Sequence, residues 1–154
     1  MKTIAIYPGS FNPFHIGHLN IVEKAERVFG KGNVLIAIGD NPEKSNRGDS
    51  EKRALEISEK TGRSVEVYDI FLHELIERKE SEGYKVVLVR GLRNGNDLDY
   101  EDNQLKFIED FKEDELNVVF FRCDEEFSHV SSSAIRNLES FRKGSSKRYL
   151  VWKK

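Results

Sequence analysis

Two histidines three residues apart follow the first apolar run of the chain, in Tyr7-Pro8-Gly9-Ser10-Phe11-Asn12-Pro13-Phe14-His15-Ile16-Gly17-His18. Gly9 permits a tight exit from an extended segment. Gly17 puts no side chain between a ligand and the amphipathic stretch that follows. The amino end of a helix offers unpaired N–H groups and a partial positive charge, both suited to phosphate. At such an end a neutral imidazole donates one hydrogen bond to a phosphate oxygen, and a protonated one adds charge. Zinc chemistry fits poorly. The pair is not at helical i, i+4 spacing, and no nearby Cys or carboxylate completes a ligand set. Either histidine alone reads as a capping or filling residue. Both together, with Gly9, Ser10 and Gly17, read as a phosphate site.

Three further groups carry chemistry. Arg90-Gly91-Leu92-Arg93 precedes Asp97, Tyr100 and Glu101. Two guanidiniums astride a glycine, on what reads as the loop leaving a strand, can reach one anion. Glu101, early in the next helix, can accept from a ribose or an adenine-side donor. Alone, the segment would be a surface Arg–Glu network worth little energy. Next, Phe127-Ser128-His129-Val130-Ser131-Ser132-Ser133 leads to Arg136. Serines at a helix start cap it and present hydroxyls and N–H groups to phosphate. Last, Lys44 in Asp40-Asn41-Pro42-Glu43-Lys44 is a point charge for a phosphate, or a solvated loop lysine.

The elements that must position these groups alternate. Thr3–Tyr7, Asn33–Ile38, Ser64–Tyr68, Lys85–Val89 and Asn117–Phe121 read as buried strands. Helices are predicted over Leu19–Phe29, from a cap at Asp49 or Ser50 to about Lys60, over Ile70–Glu80, over Asp97–Phe111 with Leu98, Leu105 and Ile108 inward, and over Ser131–Phe141. The pattern predicts an α/β fold, a doubly wound, five-stranded parallel sheet with right-handed crossovers. Such sheets bind ligands at the carboxyl ends of their strands, at the switch point of strand order. Each group above stands just after a strand. The tail from Gly144 to Lys154 is basic, and is expected to dock on the body or on a partner.

The 154 residues suit a single domain spanning 1–154. Charged residues make up 34%, against about 25% in an ordinary domain. The signs nearly cancel, 25 Lys and Arg against 27 Asp and Glu, leaving −2. A global basic field for nucleic acid is excluded. One cysteine, Cys123, excludes an intrachain disulfide and suits a reducing compartment. No apolar run approaches the roughly 18 residues of a membrane span, and the amino-terminal run is too short for a signal peptide. The expectation is a cytoplasmic protein with neither a membrane nor a nucleic-acid partner.

His15-Ile16-Gly17-His18 resembles the HxGH signature of the nucleotidyltransferase superfamily, and Gly9-Ser10-Phe11-Asn12-Pro13 resembles its GxFxP lead. That motif does not by itself choose an acceptor. Arg90-Gly91-Leu92-Arg93 with Asp97, Tyr100 and Glu101 resembles the phosphopantetheine adenylyltransferase family. Val130-Ser131-Ser132-Ser133 with Arg136 is similar to the ISSS/T-x-x-R element. The chain departs from that family at Asn12, where Asp is usual, and at His15, where Thr is usual. It departs again at Asp69-Ile70-Phe71-Leu72, which replaces a Gly-Leu segment, and in the Ser45–Asp49 loop.

The resemblance implies a Rossmann-like nucleotidyltransferase fold and transfer of AMP from ATP to 4′-phosphopantetheine. It also implies Mg²⁺ carried on the ATP phosphates, a homohexamer, and feedback by coenzyme A. It implies roles as well. His18 donates to the α-phosphate. Lys44 and Arg90 hold the acceptor phosphate beside Ser10, with Leu72 on the acceptor side. Arg93, Ser132 and Ser133 face the β- and γ-phosphates. Phe11, His15, Gly91, Leu92, Glu101, Phe127, Ser128, His129, Val130 and Ser131 surround the nucleotide. Lys44, Arg90, Arg93 and Arg136 together would make a locally positive pocket inside a nearly neutral chain. The alternatives are a nicotinamide mononucleotide adenylyltransferase and a non-catalytic nucleotide-binding module of the same fold.

Overall fold

Successive residues of the apolar runs point to opposite sides, and that alternation builds a sheet buried on both faces. The computed structural model describes residues 1–40 and 47–151, apart from the side chains of Arg47, Asn96 and Tyr100. Strands β1 (Lys2–Gly9), β2 (Val34–Gly39), β3 (Val65–Tyr68), β4 (Tyr84–Leu92) and β5 (Val118–Arg122) form one sheet in the order β3-β2-β1-β4-β5. Every pairing is parallel. The helices are α1 (Ile16–Phe29), α2 (Arg47–Thr61), α3 (Leu72–Ser81), α4 (Gly95–Phe111) and α5 (Ser132–Phe141). The doubly wound parallel sheet expected from the alternation is the sheet that forms. Among the described residues no helix is long and apolar enough to cross a membrane.

Ala5, Tyr7, Ile36, Ile38 and Val89 share a cluster with Ile21, Val22 and Ala25 of α1 and with Ala54 and Ile57 of α2. Ile6, Leu35, Ala37 and Val86 share another with Leu75 and Ile76 of α3. Each large aliphatic side chain so buried contributes roughly 1.5–3 kcal/mol. This two-sided burial fixes strand register, because a one-residue slip would exchange the faces.

The register also opens a crevice. β1 and β4 pair from Lys2↔Tyr84 to Ile6↔Leu88. Beyond that point Tyr7, Pro8 and Gly9 stay with Ile36, Ala37 and Ile38 of β2. Val89 to Leu92 stay with Val119 to Arg122 of β5. The sheet thus forks at its switch point.

Several boundaries differ from the sequence expectation. β4 runs on past Val89 because β5 keeps pairing with it, and Cys123 N–H donates to the Leu92 carbonyl at 2.8 Å. Arg90, Gly91 and Leu92 are therefore strand residues, not loop residues. α1 starts at Ile16 rather than Leu19, because His15 caps it. α2 starts at Arg47, so Asp49 and Ser50 lie inside it instead of capping it. Ser50 is fully buried, and its hydroxyl donates to Asp40 Oδ1 at 2.7 Å. Leu105 is buried as expected, whereas Leu98 is 42% exposed. Lys44 lies outside the described residues.

The tail folds back on the body. Leu150 forms an antiparallel bridge with His15, Val151 packs against the main core, and the Tyr149 ring meets His129 edge-on at 5.8 Å. Glu139 of α5 holds the turn before it, accepting from Gly144 N–H, Ser146 N–H and the Ser146 hydroxyl.

Candidate active site

The two histidines form a reciprocal cap. His15 Nδ1 accepts from Gly17 N–H at 3.1 Å and His18 N–H at 3.4 Å, while His18 Nδ1 accepts from His15 N–H at 3.1 Å. Two of the orphan donors at the start of α1 are thereby satisfied by one side chain. With both Nδ1 atoms acting as acceptors, the hydrogen-bond pattern assigns the proton of each neutral ring to Nε2. The rings stack at 3.6 Å between centroids. A Cβ at position 17 would lie 3.0 Å from His15 Cε1, so the glycine leaves room for that ring. Burial, then the Arg93 charge, holds His15 down at about 4. Burial, then His15 and Arg93, holds His18 well below the usual imidazole range. The choice left open by the sequence therefore closes on neutral imidazoles, donors without charge.

An aromatic cluster fixes His18 from the other side. Phe11 lies 4.8 Å from it edge-on and Phe14 stacks on it at 5.3 Å. Phe11 takes a positive φ of 47°, a conformation that costs a side-chain-bearing residue roughly 1–2 kcal/mol. Its ring, 2% exposed, offsets that by packing on Tyr7 and Phe14.

The fork of the sheet and the start of α1 enclose a cavity of about 530 Å³. From β1 and the turn after it come Tyr7, Pro8, Gly9, Ser10 and Phe11. His15, Gly17, His18 and Ile21 follow from α1 and its cap. Arg90, Gly91, Leu92, Arg93, Asp97, Glu101 and Gln104 come from β4 and α4, and Cys123, Val130, Ser131 and Ser132 from β5 and the α5 start. Gly91 is there for packing: a Cβ on it would sit 2.8 Å from Ile21 Cγ1 of α1.

Both lining arginines already face carboxylates. Arg90 Nε and Glu101 Oε2 are buried 2.8 Å apart as an ion pair, without an aligned hydrogen bond between them. Arg93 reaches Asp97 through Nε at 3.1 Å, Nη2 at 3.3 Å and its own N–H at 2.8 Å. Burial alone would raise Asp97, but the Arg93 side-chain and backbone hydrogen bonds outweigh it and hold the carboxyl below its usual range. Among the described lining residues, two guanidiniums thus meet two carboxylates, and the histidines are neutral. Of the expected positive pocket, the described lining is an array of donors with little net charge, and Lys44 lies outside the described residues. Arg136 does not line it. Its Nη1 donates to the Asn12 carbonyl at 2.6 Å and its Nη2 to Ser133 Oγ at 3.2 Å.

The serines divide. Ser131 Oγ caps α5, accepting from Ala134 N–H, and Ser132 Oγ donates to the Pro13 carbonyl, tying α5 to the turn before α1. Phe127, Ser128, His129 and Ser133 are near but line neither cavity described here. Leu72 also lines neither cavity and packs on the core cluster of Ile6 and Leu75. A second cavity sits beside the end of β3, lined by Gly39, Asp40, Tyr68, Asp69, Ile70, Phe71 and Glu74. Sequence reasoning passed over Tyr7, Ile21, Gln104 and Cys123. The first and last were legible as the end of one strand and the residue just after another. Tyr7 is buried, and that burial first, then Cys123, raises its hydroxyl far above the usual range, so it stays a donor.

A five-stranded parallel sheet that forks at its switch point, with a helix starting beside the fork and a cavity between them, defines a Rossmann-like α/β protein with a cavity where such folds bind ligands. Residues 6–138 match the cytidylyltransferase-like family. A phosphopantetheine adenylyltransferase of Mycoplasma capricolum is 37% identical over 144 residues, covering 91% of this chain and 99% of that one. One from a Synechococcus strain is 38% identical over 137 residues, covering 88% and 83%. The chain belongs to the phosphopantetheine adenylyltransferase family within that cytidylyltransferase-like group. Among solved structures, a putative nicotinate-nucleotide adenylyltransferase from Vibrio parahaemolyticus matches with TM-score 0.61 at 21% identity, over 97% of this chain and 87% of that one. A Plasmodium falciparum nicotinic acid mononucleotide adenylyltransferase complexed with NaAD matches with TM-score 0.65 at 14% identity, over 97% and 91%. These share the fold.

Proposed function

We propose that the protein transfers the adenylyl group of ATP to 4′-phosphopantetheine, giving dephospho-coenzyme A and pyrophosphate. The observation that carries the reading is the pair of neutral Nε2–H imidazoles at the start of α1, set in the fork of the sheet opposite Arg90 and Arg93. An oxygen of the acceptor phosphate attacks the α-phosphorus in line. The α–β phosphoanhydride bond breaks, and its electron pair leaves on pyrophosphate. No residue becomes covalent. Catalysis is positioning plus stabilisation of charge on the equatorial oxygens. His18 donates to the α-phosphate. Arg90, which shares the cavity wall with Ser10, receives the acceptor phosphate, a charge that Lys44 is proposed to share, while Arg93 and Ser132 face the leaving phosphates. Glu101 and Val130 border the nucleoside.

Mg²⁺ arrives with ATP as part of the substrate, held by phosphate and water. We place the reaction in the cytoplasm, in a single domain spanning 1–154, assembled as the homohexamer that the family resemblance implies.

The test is pyrophosphate release from ATP with each acceptor offered separately. Turnover with 4′-phosphopantetheine and none with nicotinamide mononucleotide is the expected result. Turnover with the mononucleotide alone would reassign the acceptor. ATP binding without any turnover would mark a nucleotide-binding module.

A further inference from the structure

The helix that carries His18 also grips the segment between β5 and α5. Asn20 Nδ2 donates to Asp124 Oδ2 at 2.9 Å, and Asp124 N–H donates to Asn20 Oδ1 at 2.9 Å. Asn20 is 7% exposed, so both ends of a buried amide are spent on one residue 104 positions away. Lys24, one turn further along α1, pairs with Asp124 Oδ1 at 2.8 Å and donates to the Arg122 carbonyl. Asp124 begins the turn that leads through Glu125–Phe127 to Val130 and Ser131 in the cavity wall. A two-point amide contact sets both the distance and the register of the backbone it holds. Sliding the segment by one residue breaks both bonds and strands a buried amide.

We propose that Asn20 is a positioning residue for the nucleoside half of the site, holding the Asp124–Val130 segment at a fixed distance from His18. The proposal rests on reading the cavity as an ATP site. Asn20 lines neither of the two cavities and touches no substrate in that reading. It acts through the backbone of Asp124. The chemistry also says why the residue is an amide. A carboxylate at 20 would face the Asp124 carboxylate at hydrogen-bond distance, and an aliphatic residue would leave the Asp124 N–H without its acceptor.

The arrangement can be inverted on paper. In a double variant, Asn20→Asp with Asp124→Asn, residue 20 still accepts from the backbone N–H of residue 124. The side-chain hydrogen bond reverses direction, and Lys24 finds its carboxylate at i−4 on its own helix, a favourable order. The experiment measures the Kd for ATP by titration calorimetry without acceptor, and kcat and KM for both substrates, in wild type, N20D, D124N and the double variant. Expected are a rise in ATP Kd and KM on the order of tenfold in N20D, an unchanged acceptor KM, and recovery to near wild type in the double variant. Should N20D fail to fold, Asn20→Ala gives the same split between substrates to a smaller extent, and the double variant still recovers. Unchanged ATP Kd in N20D, equal increases in both KM values, or no recovery in a cooperatively folded double variant would each overturn the proposal. Failure of wild type to use 4′-phosphopantetheine would overturn the acceptor reading alone, because the ATP titration needs no acceptor.

Discussion

In the proposed reaction, hydrogen-bond donation rather than charge is what His15 and His18 would offer a phosphate. Their Nδ1 atoms are committed to backbone N–H groups, so only the Nε2 protons are available. His18→Ala should lower turnover by about 10²–10³ while ATP still binds, as loss of a transition-state donor does. Near-normal turnover would remove His18 from the mechanism. The protonation state has its own readout. Below the ordinary value of 6.5 an unfolded chain takes up protons that the folded His15 ring refuses until about pH 4, and His18 is held down in the same direction. The stability tied to His15 is therefore complete above 6.5 and is lost as pH falls toward 4, and that tied to His18 is lost in the same direction. Nitrogen-15 spectra should show both rings neutral and Nε2-protonated from pH 7 down to pH 5, and a charged ring at pH 6 would contradict the cap. The sequence made the histidines visible through spacing and Gly17. It could not show that they cap each other, because that depends on where the helix starts.

At the scale of elements, the fork between β1 and β4 decides what lines the site. The alternating runs made five strands and their order of use legible. The end of β4 was not, because Arg90-Gly91-Leu92 looks like a loop until β5 is there to pair with it. Gly91 is the point where α1 crosses that strand. Gly91→Ala should destabilise by about 1–3 kcal/mol through overpacking. Ile21→Ala, which removes Cγ1 and Cδ1, should cost less in the Gly91→Ala background than in the wild type in denaturant titrations, and independent effects of the two changes would mean the helix does not bear on the strand there. The Gly144–Ser146 turn behaves differently because a carboxylate holds it. Hydrogen bonds from the Ser146 hydroxyl, then Gly144 N–H and Ser146 N–H, pull Glu139 from 4.5 down to about 2. Its grip is complete above pH 4.5 and is lost as pH falls through about 2. Amide exchange at Gly144 and Ser146, corrected for its intrinsic pH dependence, should rise over that window. In Glu139→Gln it should already be high at pH 7.

For the whole molecule, the sum of −2 looked like the mask over a positive pocket. The ion pairs change that reading. Arg90 with Glu101, and Arg93 with Asp97, leave the described lining with almost no net charge; an Arg–Glu network is the plainer reading of that segment alone, but which carboxylate meets which arginine depends on where β4 ends and α4 starts. ATP would then be held by short-range donors that displace the carboxylates, not drawn in by a long-range field. Fields of that kind are screened over about 8–10 Å at physiological salt, whereas enclosed hydrogen bonds are not. The kcat/KM for ATP at constant free Mg²⁺ should therefore change by less than about threefold between 50 and 200 mM salt. Asp97→Asn, which keeps an acceptor for the Arg93 N–H but removes the competing charge, should tighten ATP binding a few-fold and steepen that salt dependence. A steep decline already present in the wild-type protein would mean that unpaired positive charge dominates the approach. The paired arginines would then be incidental to how the nucleotide arrives.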